Sequence, residues 1–311
     1  MTQPLISAVV CTRNRAKFLD KCIKSIIDQT LSRSLYEILI VDNGSTDGTK
    51  GIVEKYKADG VRYLSEPVIG LSKARNTAWQ NTSARYLGYL DDDAWADRQW
   101  LETALWSFQH VSPSPEWVGG RIYLGWESMP PAWIVGSEQL KAPLGFLDYG
   151  DKPHFLEQGQ RLGGGNSFYT RSVLERIGGF AETLGRKKSV LLSGEEVELQ
   201  QRYESDGNKL FYHPDISMHH YVGAERMKPE WFYKRFFWGG VSDVVMNSLS
   251  RGAEAARTSP KAGPQGGAAG RLLLNLARAL GFSSDVGITV HARTYLCYVA
   301  GYLYGVMVYR D

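Results

Sequence analysis

Three consecutive carboxylates, Asp91, Asp92 and Asp93, follow directly on the apolar run RYLGYL (Arg85 to Leu90). Like charges gathered at the end of a buried strand repel one another and need a compensating cation, and oxygen donors suit a hard divalent ion. Were the strand to continue, Asp91 and Asp93 would share one side, so one ion could see both. A solvated acidic turn before a helix near Asp97 would look the same, because short motifs recur by chance. The runs around it narrow the choice. VDNGSTDGT (Val41 to Thr49) places Asp42 directly at the end of another apolar run. Asn43-Gly44 there supplies a turn, and Ser45 or Thr46 would cap the next helix. CTRNR offers Thr12, Arg13, Asn14 and Arg15 as donors after a first run, where phosphates could sit near a helix N-terminus. GLSKARNTA adds Lys73 and Arg75 after a third.

These residues need elements that bring them together. LISAVVCT (Leu5 to Thr12) is short, apolar and β-branched, and reads as a buried strand. Phe18, Leu19, Cys22, Ile23, Ile26 and Ile27 then recur at helical spacing. The alternation repeats three times. YEILIV (Tyr36 to Val41) precedes a helix from about Thr46, VRYLSE (Val61 to Glu66) one near Leu71, and RYLGYL one near Asp97. Strands alternating with helices predict a parallel sheet covered on both faces, with ligands bound beyond the carboxyl ends of its strands. Each candidate residue above stands at such an end.

From Gln109 to Gly164 the pattern loosens into a strand (Trp117 to Leu124) and a long Pro-, Gly- and Trp-rich excursion, a length that usually carries function. NSFYTRSVLERIGGF, a helical EEVELQQRYES, a strand KLFYHPD and a short ISMHHYV follow. An aromatic helical stretch is expected over Pro229 to Ser250, fitting either core packing or a bilayer interface beside Lys234 and Arg235. Residues 251–270 read as a flexible Gly/Ala/Pro-rich linker, followed by helices near Arg271 to Gly281 and Thr289 to Tyr309. The organisation expected is therefore a catalytic domain over 1–250, a linker over 251–270 and a helical segment over 271–311.

Composition sets outer limits. The 311 residues are 43% hydrophobic and 22% charged, with 36 basic against 33 acidic side chains, so a nucleic-acid partner held by phosphate neutralisation is not expected. Cys11, Cys22 and Cys297 are far apart, which argues against a disulfide scaffold or a structural zinc and for a reducing compartment. The N-terminus lacks the pattern of a signal peptide, so a cytoplasmic location is expected, with association at the inner face of the membrane left open. No P-loop and no GxGxxG follow the first strand, which removes the main support for a kinase or a dehydrogenase. A sugar nucleotidyltransferase would want a glycine-rich loop there, and CTRNRAKF has none.

TRNR, VDNGSTDGT, GLSKARNTA and LDDDAW, in this order, resemble glycosyltransferase family 2 with its GT-A fold. The likeness continues through GGGNSFYTR, IGGF, GEEVELQQR and HHYVGAER, covering roughly residues 5 to 250. The resemblance implies an α/β fold of GT-A type, Rossmann-like, with a mainly parallel sheet flanked by helices and a C-terminal helical extension. It implies an inverting transfer from a nucleoside-diphosphate sugar to a saccharide or lipid-linked acceptor, with Mn²⁺ or Mg²⁺. An inactive scaffold or peripheral membrane module of the same fold is the alternative.

By the same resemblance, Thr12, Arg13, Asn14, Asp42, Arg75, Asp91 and Asp92 bind the nucleotide sugar. Asp93, Asp91 and His220 hold the metal, and an imidazole beside carboxylates favours Mn²⁺ where supply favours Mg²⁺. Gly165, Asn166 and Trp133 line the acceptor side. The family usually carries Glu-Asp where this chain has Glu195-Glu196, and Glu196 matches the base. Ser193 to Glu196 also fits a capping box, and a helix N-terminus favours the ionised carboxylate that a base needs.

Overall fold

A computed structural model describes residues 3–186, 191–254 and 285–309. The chain forms two compact units. The first comprises Met1–Gly125, Gly145–Thr183 and Glu195–Tyr221, and the second Trp126–Leu144, Leu184–Gly194 and Val222–Asp311.

The first unit is built on strands β1 (Ile6–Thr12), β2 (Tyr36–Asp42), β3 (Val61–Ser65) and β4 (Tyr86–Leu90), which pair in parallel with β1 between β2 and β4. Alternation along each strand sends side chains to opposite faces. Ile6, Ala8 and Val10 pack with Leu19, Cys22, Ile23 and Ile26 of helix α1 (Ala16–Ile27) on one face. Val9, Leu39 and Val41 pack with Ala74 and Ala78 of α3 (Leu71–Gln80) on the other. The apolar runs are continuous because both faces are covered. Helix α2 (Thr49–Glu54) follows β2, and α4 (Trp100–His110) follows the short β5 (Ala94–Ala96).

The sheet is parallel only through those four strands. Strands β6 (Trp117–Trp126), β7 (His154–Phe155), β8 (Asn166–Thr170) and β9 (Phe211–Val222) extend it in the order β3-β2-β1-β4-β8-β6-β9-β5, with β7 on β9. The pairings β4–β8, β6–β8, β5–β9 and β7–β9 are antiparallel. The sheet is thus mixed rather than mainly parallel, and the expected fold class holds with that adjustment. The pieces KLFYHPD and ISMHHYV form one strand, because pairing with β7 on one side of Pro214 and β5 on the other carries the backbone through it. Helices α7 (Arg171–Ile177) and α8 (Glu195–Ser205) cover the same face as α3.

The second unit takes in the long excursion, with α5 (Ala132–Val135) and α6 (Glu138–Lys141), and two long helices, α9 (Pro229–Glu254) and α10 (Val286–Val308). Phe232 of α9 is fully buried, with Trp133 and Trp231 edge-to-face on it. Helix α9 runs four residues past its expected end at Ser250. The rest of the expected linker, and the helix expected over Arg271 to Gly281, lie outside the described residues. Among the described residues no helix is long and apolar enough to cross a membrane.

Candidate active site

The carboxyl ends of β1, β2 and β4 are neighbours because β1 lies between the other two. Asn14, just past β1, adopts a left-handed backbone (φ 54°), which asparagine tolerates better than most residues. Its backbone N–H donates to Ser45 Oγ (2.9 Å) and its Oδ1 accepts from the Thr46 N–H (2.7 Å). Ser45 and Thr46 are thereby spent on lacing the two loops, and α2 starts at Thr49, where Asp47 accepts the Thr49 N–H (3.0 Å). Asp42 is buried, accepting from the Ser45 N–H at 2.9 Å and from Tyr63 Oη at 2.9 Å. Arg13 Nε is buried without a hydrogen-bond partner among the described residues, a donor left over at this edge.

The acidic triplet divides its labour. Asp92 accepts a hydrogen bond from Thr12 Oγ1 (2.8 Å). Burial, and then the adjacent charge of Asp93, push the Asp92 carboxyl up to about 7. Asp93 turns the other way, taking Arg15 Nη1 on Oδ2 (2.7 Å) and standing 3.2 Å from His220 Nε2 through Oδ1. The β5–β9 pairing sets this up by placing Ala94 opposite His220, and the Tyr221 N–H donates to the Asp93 carbonyl (2.8 Å). Asp91, Asp93 and His220 each offer a donor atom, and all three lie within 4.8 Å of one another. Two carboxylates and an imidazole are a fitting donor set for a divalent cation of the Mn²⁺ type. The adjacent charge of Asp93, which adds to burial in raising the Asp92 carboxyl, is charge that such an ion would relieve. His219 points away, stacked between Trp95 and Tyr123, as strand alternation requires.

A second ionic group sits beside the first. Arg75 on α3 is buried, with Nη1 2.8 Å from Glu195 Oε1 and Nη2 3.7 Å from Asp91 Oδ1. Burial works against its charge, but Glu195, Asp91 and Glu196 more than offset this and hold the guanidinium above its usual range. Arg75 is thus enclosed by acids, and Glu195 is consumed in pairing with it. Glu196, next along α8, is only half-buried. The glycine run before β8 makes room for both carboxylates. A Cβ at Gly164 would stand 2.9 Å from Glu196 Cβ, and one at Gly165 would collide with the Asp91 carboxylate. Gly165, expected on the acceptor side, stands against Asp91, and what it contributes there is the absence of a side chain.

Asn166 cannot serve an acceptor as placed. It is fully buried, its Oδ1 accepts from Trp100 Nε1 (2.7 Å), and its amide donates to the carbonyls of Arg121 (3.0 Å) and Ile216 (2.9 Å). It ties β8 to β6 and β9. Trp133 belongs to the second unit, half-buried on Phe232. The capping box expected of Ser193 is also absent, because Ser193 Oγ accepts from Arg235 Nη1 (2.9 Å) and its N–H donates to Ser242 Oγ (3.0 Å). Gly194 follows with φ 94°, where a Cβ would meet Met246 Sδ at 2.6 Å. Three residues of α9 thus grip the two residues just before Glu195. Sequence reasoning missed this grip, whose only local signals were Gly194 and one arginine in an aromatic helix.

Acids and an imidazole gather at the carboxyl edge of a mixed sheet flanked by helices, an architecture of GT-A type. Residues 7–126 match the family described as Glycosyl transferase family 2. Over those residues the chain is similar to that family, and it is a glycosyltransferase. It is similar to a glucosyl-dolichyl phosphate glucuronosyltransferase of Haloferax volcanii, 25% identical over 78% of each chain. It is 38% identical to glycosyltransferase AglE of the same organism over 32% of its own length and 34% of that relative's. Among solved structures it is similar to the mannosyltransferase PcManGT from Pyrobaculum calidifontis in complex with GDP-Man and Mn²⁺. That likeness has a TM-score of 0.62 at 16% identity, covering all of this chain and 89% of the other.

Proposed function

We propose that the protein is an inverting, divalent-cation-dependent transferase that moves a sugar from a nucleoside-diphosphate sugar to a hydroxyl of a saccharide or lipid-linked acceptor. The observation that carries this reading is the convergence of Asp91, Asp93 and His220 beside the Arg75–Glu195 pair, with Glu196 left half-exposed. Thr12, Arg13, Asn14 and Asp42 face the nucleoside, with Asp42 toward the base. Asp93, Asp91 and His220 hold Mn²⁺ or Mg²⁺, whose positive charge would stabilise the departing diphosphate. Glu196 accepts the proton of the acceptor hydroxyl, whose oxygen bonds to the anomeric carbon on the face opposite the leaving group. The carbon–phosphate-oxygen bond breaks, its electron pair leaves with the nucleoside diphosphate, and the configuration inverts. Arg75 keeps Glu195 and Asp91 in place rather than reaching the diphosphate.

A lipid-linked acceptor is favoured by the dolichyl-phosphate-linked substrate in the name of the Haloferax volcanii relative. Contact with the inner face of the membrane belongs to the same reading, because α10 exposes Leu303, Tyr304, Met307 and Val308 at helical spacing. The test is calorimetry of UDP, GDP and dTDP binding, with Mn²⁺ or with EDTA, on the wild type and Asp93→Ala. One nucleotide bound only with metal and only by the wild type supports the reading and names the donor base. Folded protein that binds none of them sinks it.

A further inference from the structure

The second unit carries an open cavity of ≈ 820 Å³ between α5, α6 and the start of α10, within the size range of small-molecule sites. Trp133 and Tyr295 give it aromatic walls, and Ser137, Gln139, His291 and Asp285 give it polar atoms. These groups are fixed in place. Ser137 Oγ lies 3.1 Å from His291 Nε2, Trp133 is braced on Phe232, and Asp285 Oδ1 caps α10 by accepting the Ile288 N–H (3.1 Å). Among the described residues neither lysine nor arginine lines it, and burial lowers the His291 pKa, which keeps the imidazole neutral.

The lining discriminates among ligands. A phosphate or carboxylate would find no cation among the described lining residues and would face Asp285, so anions are disfavoured. A bare hydrocarbon chain would strip water from four polar side chains without replacing their hydrogen bonds. A neutral polyhydroxylated ring satisfies both halves, laying its C–H face on an aromatic ring and sharing its hydroxyls among serine, amide and imidazole.

We infer that this cavity binds a neutral pyranose ring of the acceptor. That the ring belongs to an acceptor rests on the transferase reading, whereas the binding itself does not.

Saturation-transfer NMR and calorimetry with a panel of neutral methyl glycosides and disaccharides test this, beside glucose 6-phosphate and a short-chain isoprenyl phosphate. Wild type is compared with Gln139→Ala, at an exposed position, and with Trp133→Phe, which keeps a ring on Phe232. Binding of at least one neutral saccharide, weakened roughly fivefold by Gln139→Ala through loss of one hydrogen bond, is the expected result. Trp133→Phe should weaken it too. No saccharide binding, saccharide binding that neither variant changes, or a preference for either phosphate would overturn the proposal. UDP and GDP binding with Mn²⁺ is recorded on the same samples. Saccharide bound without any nucleotide keeps the cavity and removes the transferase reading, and nucleotide bound without saccharide does the reverse.

Discussion

The two units solve opposite problems of packing. In the first, negative charge is crowded at the strand ends and three of the acids are fixed by partners: Asp92 by Thr12, Asp93 by Arg15, Glu195 by Arg75. In the second, α9 and α10 approach so closely that contact depends on side chains being absent. A Cβ at Gly301 would collide with the Phe237 carbonyl, and one at Gly305 would stand 3.1 Å from Val244 Cβ. Deleting atoms should therefore damage chemistry in the first unit, and adding atoms should damage stability in the second.

The sharpest way to break this contrast is Asp93→Ala. It removes an oxygen donor facing His220 and leaves Arg15 without that ion pair. Transfer should fall by about a thousandfold or more, as when a group stabilising transition-state charge is lost. The melting temperature should move by no more than about 4 °C, because Arg15 is partly exposed and an unfavourable charge beside Asp92 disappears. Loss of fold in place of loss of rate would show that the acids are structural. In the second unit, Gly301→Val should cost roughly 3 kcal/mol through overpacking. Thermal denaturation monitored by circular dichroism reads this directly, and an unchanged midpoint would mean that α9 and α10 do not pack as described.

The same contrast governs what could be read from the sequence. Strand ends announce themselves, so Asp42 and Asp91 to Asp93 could be placed before any coordinates, and helix α8 begins and ends where its pattern does. Asp91 and Asp93 do converge, although residues 91–93 leave the strand and turn, with the Ala94 N–H on the Asp91 carbonyl (3.1 Å). Pairings across the chain leave no local trace. Arg75 and Glu195 are 120 positions apart, and nothing in GLSKARNTA distinguishes an arginine aimed at a diphosphate from one buried between acids. Asn166 looked like a ligand-facing amide because burial is invisible in a polar residue's name. Pro214 and Asp215 read as a break, yet strand pairing on both sides overrode it. Long-range pairing therefore decided every point that local pattern missed.

Arg235 tests whether the second unit reaches the chemistry through chain continuity alone. Ser193 and Gly194 are held by α9, and the next residues are Glu195 and Glu196. Arg235→Met should lower kcat roughly tenfold by loosening the approach of Glu196, leaving the KM for the donor within about twofold. Arg235→Lys should recover part of the loss by keeping one donor on Ser193 Oγ. Steady-state kinetics over both substrates separate the outcomes, and a donor KM that moves as far as kcat would refute a positioning role.

The smallest effect lies in Asp243, a half-buried acid of α9. Asp243 Oδ2 accepts from Tyr298 Oη (2.5 Å), and burial raises its pKa above the ordinary 3.8, while the tyrosine bond partly opposes the rise. A carboxyl whose pKa is raised by folding favours the fold most when protonated. That contribution is complete below the unfolded value and is lost as pH rises through the folded one. Asp243→Asn keeps an oxygen for Tyr298 and removes the titration. Its melting temperature should match the wild type near pH 4 and exceed it by a few degrees, about 2–4 °C, at pH 7. A gap of the same size at both pH values would assign the difference to packing instead. The opposite sign, with the variant weaker at pH 7, would mean that the ionised carboxylate is itself a bond α9 and α10 need. Charge would then count in the second unit as it does in the first.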